Sequence, residues 1–248
     1  MTVGKPARLI LSFALPLMLG NVFQQMYIIV DTMVVGKFVG VEALAALGAA
    51  DWLNWLVIGL MQGLTQGFSI LISQRFGASD WKGLNRAMAG AVLIAGIVGI
   101  ALTITSLSLV HPVLVLLNTP ADIMDGALSY LHVMFSGCLA VMGYNVFAAI
   151  LRAMGNSRTP LIAMVIASLL NVVLDLLFVL GFHWGIAGAA GATVLAQAVS
   201  CLICLFAVLR LPIPKMERED WRPSAPLYGQ LLKLGAPLAF HDTIIAGG

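Results

Sequence analysis

Residues 161–181 read Leu-Ile-Ala-Met-Val-Ile-Ala-Ser-Leu-Leu-Asn-Val-Val-Leu-Asp-Leu-Leu-Phe-Val-Leu-Gly, an apolar run whose only charge is Asp175. A bilayer core about 30 Å thick needs roughly 20 mostly apolar residues per helix, so this run is long enough to span it. Runs of the same kind lie near 9–35, 44–73, 87–110, 126–151, 160–181, 186–209 and 229–248. Helices are the economical form, because lipid offers no partner to an unpaired backbone amide and the alternation of a barrel strand is absent. The composition agrees: 60% hydrophobic, 10% charged and a mean hydropathy of +1.00, where a soluble domain carries about 25% charged residues.

The net charge of +2 is placed between the spans. With a cytoplasmic N-terminus, that side receives Lys5, Arg8, Arg75, Lys82, Arg86, Arg152, Arg158, Arg210, Lys215, Arg218, Arg222 and Lys233, and the other side receives Lys37 alone. This positive-inside bias supports the span count, since dropping one helix scrambles the alternation. The basic residues are therefore read as topology determinants, and no nucleic-acid partner is expected. The apolar stretch after Lys5 and Arg8 is too long for a signal-peptide core and is read as a retained first span.

Short polar turns separate the spans, at 36–40, 77–83, 118–122, 155–160 and 181–185. The longer break at 211–227, with four prolines around a charged run, reads as a cytoplasmic linker. After it, Leu232-Lys233-Leu234-Gly235-Ala236-Pro237-Leu238 echoes Leu11-Ser12-Phe13-Ala14-Leu15-Pro16-Leu17. A repeat after six helices is what two parallel six-helix halves would show. The expected organisation is an all-α polytopic membrane protein: a six-helix transmembrane lobe at 1–210, a linker at 211–227 and the start of a second lobe at 228–248. Residues 1–248 are accordingly read as one half of a longer protein plus the beginning of the other.

An ionised aspartate at a helix centre costs about 2.5–3.5 kcal/mol on insertion scales. Asp175 lies well inside the fifth span, with Asn171 one turn earlier on the same face. Asp31 lies toward the outer end of the first, with Tyr27 and Gln24 one and two turns earlier. Two carboxylates with polar neighbours and no mid-span Lys or Arg suit reversible protonation or the binding of a monovalent cation. Asp51, near the start of the second span, is read as interfacial. Pro16 is read as a kink or hinge in the Asp31 span. Glycines at 59, 63 and 67, and at 185, 188 and 191, are read as points of close helix approach. Cys201 and Cys204 have no second ligand pair and are read as packing residues. The four histidines have no metal-binding spacing, so no metal is expected beyond Na⁺ at the cation site, and no cofactor.

Three stretches resemble the MATE (multidrug and toxic compound extrusion) transporters: Asp31-Thr32-Met33-Val34-Val35-Gly36, Leu151-Arg152-Ala153-Met154-Gly155-Asn156-Ser157-Arg158-Thr159-Pro160, and Asn171-x-x-x-Asp175. A fourth, Gly185 to Thr193, opens the sixth span in a similar way. The resemblance implies a 6+6 helix fold in a bacterial inner membrane. It implies no enzyme activity, and export of cationic or amphipathic drugs against an inward flow of H⁺ or Na⁺. It places the cation site on Asp31, Asn171, Asp175 and Thr193, with Tyr27, Gln24, Tyr130 and Asn145 as nearby polar or cavity residues and Pro16 as the first-helix proline. The implied partners are membrane lipid, the small organic substrate and a second lobe. A lipid-linked oligosaccharide flippase of the same superfamily is the alternative, one that mid-span arginines would favour. An intramembrane aspartyl protease is set aside, because neither aspartate stands in a Gly-x-Gly-Asp motif.

Overall fold

The computed structural model describes residues 6–214, 217–222 and 224–247, and the side chains within them except those of residues 6–13, 16, 17, 21, 24, 27, 242 and 244–247. The sequence-based expectations on the side chains of Pro16, Gln24 and Tyr27 therefore lie outside the described residues. The elements are α1 (Pro6–Phe38), α2 (Val41–Gly77), α3 (Trp81–Leu116), α4 (Ala121–Ser136), α5 (Cys138–Ala153), α6 (Arg158–Asp175), a π-helical segment (Leu176–Gly181), α7 (Gly185–Leu209) and α8 (Ala225–Gly247). Every regular element among the described residues is helical. Four rods, Val41–Gly77, Trp81–Leu116, Arg158–Gly181 and Gly185–Leu209, are long and apolar enough to cross a membrane, and α4 with α5 forms a fifth, bent by 46°. α1 is a further rod of 33 residues.

Two spans differ from the sequence expectation. The run at 126–151 is a broken pair instead of one straight helix. Gly137 sits at the break, where a Cβ would strike the side chain of Val194 on α7. The bend thus occurs where one helix needs room for its neighbour's side chain. The run at 160–181 leaves α geometry after Asp175. Phe182 N–H reaches back to Leu177 O (3.0 Å) and Trp184 N–H to Phe178 O (3.0 Å). Uniform hydropathy across the run gives no sign of this change in winding, which is seen mostly as short insertions into α-helices.

The segment between α5 and α6 shows why its residues occur together. Gly155 takes a left-handed conformation (φ 85°) that ends α5 with N–H bonds back to the last turn. Asn156 Oδ1 then accepts from Thr159 N (3.1 Å), and Pro160 falls in the first turn of α6, where a missing N–H has no consequence.

The buried apolar residues form three clusters, and in the main one Phe68, Met61, Leu84, Met88, Leu131 and Met142 are fully buried. The glycines of α2 act as expected: a Cβ on Gly63 would fall on the backbone of Ala239, and one on Gly67 on that of Gly235, so α2 and α8 touch main chain to main chain. The linker is docked onto the bundle. Asn85 Nδ2 donates to Pro214 O (3.1 Å), Arg86 Nε stands 3.9 Å from Asp220, and Leu211 and Ile213 pack on the core. Cys204 is buried among apolar side chains and Cys138, Cys201 and Cys204 are free thiols, in line with the packing reading.

Candidate cation and substrate site

A cavity of about 680 Å³ runs along the bundle between α1, α2, α4, α5, α6 and α7. This volume lies within the usual range for a small-molecule site, about 300–1,000 Å³. Asp31 and Arg152 are both among its lining residues. Asp31 and Asp175 are 8% and 0% exposed, and the two side chains face each other closely enough across the α1–α6 contact to interact. Each has one oxygen, Oδ1, that is buried and meets no donor among the described residues.

Asn171 and Thr193 complete the cluster. With the Asn171 amide oriented to satisfy both neighbours, its Nδ2 donates to Asp175 Oδ2 (3.2 Å), and its Oδ1 accepts from Thr193 Oγ1 (3.1 Å) and Thr193 N (3.3 Å). Asn171 is 2% exposed, so this amide is fixed by its partners. Four residues named from sequence thus meet at one place, drawn from α1, α6 and α7. Tyr130 and Asn145 both line the cavity, and Asn145 Nδ2 donates to Val141 O (2.9 Å).

Three features of the cavity are absent from the sequence reading. Asp51 is half-buried, lines the cavity and lies near enough for its charge to act on Asp31, so the interfacial reading is incomplete. Asp51, Asn54, Trp55, Gln62, Thr65, Gln66, Ser69 and Ser73 form one cavity-facing stripe on α2, and its signal was legible as polar residues recurring at three- and four-residue intervals. Arg152, assigned from sequence to a loop, lines the cavity from the last turn of α5 and forms no salt bridge among the described residues.

An apolar helical bundle with several membrane-length helices, a polar cavity and a buried carboxylate pair is the architecture of a multi-pass membrane protein. The family model described as MatE matches residues 16–177, and the chain belongs to that family. It is 33% identical to "Probable multidrug resistance protein YpnP" of Bacillus subtilis, over 100% of this chain and 55% of that protein. It is 27% identical to "Probable multidrug resistance protein NorM" of Thermotoga maritima, over 96% and 52%. Among solved structures, an outward-facing multidrug resistance MATE family transporter of the MOP superfamily superposes with a TM-score of 0.90 at 29% identity, covering 96% of this chain and 53% of that one. An inward-facing one superposes with 0.83 at 28% identity, covering 90% and 52%. The chain spans about half the length of the relatives it matches.

Proposed function

We propose that this chain is the ion-coupling half of a cation-driven antiporter that exports cationic or amphipathic compounds. The observation that carries the reading is the meeting of Asp31 and Asp175 inside the bundle, each with an acceptor oxygen that no donor fills among the described residues. An empty pair must carry negative charge in a low-dielectric site, which favours uptake of H⁺ or Na⁺. Asn171 and Thr193 supply amide and hydroxyl oxygens beside the carboxylates, a donor set that serves either ion. Because Asp31 also lines the cavity, filling the pair removes the charge that holds a cationic substrate. Ion and substrate then compete, and release of one accompanies capture of the other.

Residues 1–210 form the first lobe in this reading, 211–227 the linker and 228–248 the start of the second. The lobes alternate access across the membrane with the basic loops inside, as the positive-inside bias requires. The flippase alternative is not favoured: Arg152, the one arginine lining this cavity among the described residues, stands in a helix's last turn, and the Bacillus subtilis and Thermotoga maritima relatives carry multidrug names.

The test uses the protein that carries this lobe together with its second lobe, in proteoliposomes with H⁺ and Na⁺ gradients imposed separately. One gradient should drive substrate efflux, and Asp175→Asn should abolish it while membrane insertion is retained. Efflux that ignores both gradients, or that survives in a well-inserted Asp175→Asn protein, overturns the proposal.

A further inference from the structure

The cavity holds a carboxylate outside the Asp31–Asp175 pair. Asp175 is fully buried and does not line the cavity, and Oδ1 of Asp31 is a buried atom. Asp51 is half-buried and lines the cavity, and among the described residues it meets no hydrogen-bond donor and no basic group. Trp55 stands one turn further along α2 on the same face, where Cβ atoms are about 5–6 Å apart. It also lines the cavity, and it is 42% exposed. Trp52 is 41% exposed but does not line the cavity. Tryptophans near the ends of spans anchor a protein at the membrane surface, and Trp52 fits that use. Trp55 is placed instead beside a carboxylate in a cavity of substrate size. The cavity arginine is far from both: Ser73 Oγ donates to Ala153 O (3.4 Å), next to Arg152. Asp51 and Ser73 stand at opposite ends of the α2 stripe, about 33 Å apart along the axis at about 1.5 Å per residue. Asp51 is therefore no counter-ion to Arg152.

We propose that Asp51 and Trp55 form the subsite for the positively charged head of an organic cation, distinct from the Asp31–Asp175 site that takes the coupling ion. The inference rests on the drug-cavity reading above and specifies how that cavity holds its substrate. The carboxylate attracts the charge, and the indole face attracts it again through the ring quadrupole, which suits ammonium heads whose methyl groups leave no N–H to donate. A small inorganic ion finds few oxygens there, and more in the cluster of Asp31, Asn171, Asp175 and Thr193. Asp51 is near enough for its charge to act on Asp31. An organic cation on Asp51 thus weakens the field that draws an ion to the pair, and an ion on the pair weakens the field that draws the organic cation. The two ligands compete through charge without sharing an oxygen atom.

The experiment is a binding titration with the two-lobe protein in lipid nanodiscs, with binding to empty discs subtracted. The probes are 2-(naphthyl)ethyl-trimethylammonium and its uncharged isostere, in which a tert-butyl group replaces the trimethylammonium head. Asp51→Asn should weaken binding of the cation about 10- to 100-fold and change that of the isostere by no more than about twofold. Asp51→Glu, which keeps the charge, should retain most of the affinity. Trp55→Leu should weaken the cation about 3- to 30-fold and leave the ion concentration that half-saturates transport within about twofold, whereas Trp52→Leu should change neither. Unchanged cation affinity in Asp51→Asn overturns the inference and leaves the drug-cavity reading in place. An Asp51→Asn protein that loses cation and isostere equally also overturns it, because a packing defect would do the same. Equal losses in Trp55→Leu and Trp52→Leu overturn the part assigned to Trp55. Binding of neither probe to the unmodified protein overturns the cavity reading, and this inference with it.

Discussion

Two pairs of aspartates in this molecule are treated in opposite ways. Asp80 caps the start of α3 and Asp220 lies in the linker, and each accepts a main-chain N–H beside an arginine. Asp80 accepts from Gly83 N (3.0 Å) and from Arg75 (2.9 Å), and Asp220 accepts from Glu217 N (2.9 Å) beside Arg86. Asp31 and Asp175 lie inside the bundle with one oxygen each unfilled, and the groups nearest them include other carboxylates. A carboxylate held by a main-chain N–H and an arginine is a structural fastening, and adding an ion to it competes with bonds already made. An unsaturated one is a place for an ion. The residue type is the same, and the count of donors around it separates the two uses.

That contrast breaks most visibly at Asp175. Asp175→Asn should leave no ion-driven efflux, whereas Asp220→Asn should leave efflux intact; loss of efflux in both proteins would remove the distinction. Thr193→Val is the next largest effect. It deletes a hydroxyl that holds Asn171 in place, worth about 1 kcal/mol, or about a fivefold rise in the ion concentration that half-saturates transport. An unchanged ion dependence would detach Thr193 from the cluster. Asp220→Ala should cost about 1 kcal/mol of stability by orphaning Glu217 N–H, visible in thermal unfolding, with no change in ion affinity.

The smallest effect concerns Asp80. Its pKa is lowered below the ordinary 3.8, chiefly by the Gly83 N–H bond, against a weaker opposing effect of desolvation and with further lowering from Arg75. A depressed folded-state value means that the cap's contribution is present above the ordinary value and is lost as pH falls through the lowered one. Hydrogen exchange at Gly83 should therefore lose protection only in acid below 3.8. Asp80→Asn, which keeps the capping acceptor, should remove this pH dependence and leave transport unchanged.

Much of the site was legible because the membrane makes polarity conspicuous. Asp31, Asn171 and Asp175 stand out from apolar neighbours, and Asn171 and Asp175 share a face by spacing alone. Their meeting with Thr193, 22 residues away from Asn171, came from the family resemblance, since no local pattern pairs α6 with α7. The α2 stripe was present as a helical period. Its members Gln62, Gln66 and Ser69 are uncharged, and a neutral polar side chain in a membrane helix is far less conspicuous than a carboxylate. Gly137 and the π-helical segment were not legible. The first depends on Val194 of another helix, and the second lies in a run of apolar residues that suits either winding.

The π-helical segment after Asp175 also bears on sequence change. A wide turn of this kind holds about one residue more than an α-helix of the same rise. Deleting one residue among 176–181 would let the α ladder run on and turn all that follows by about 100°. Phe178, Phe182 and Trp184 stack with centroids 5.0–5.9 Å apart and close over Gly188. That rotation would carry them off their seat while leaving Asp175 untouched. The segment is thus a tolerated insertion whose removal is the harmful event, so loops elsewhere in this chain should accept length changes that this short stretch of helix does not.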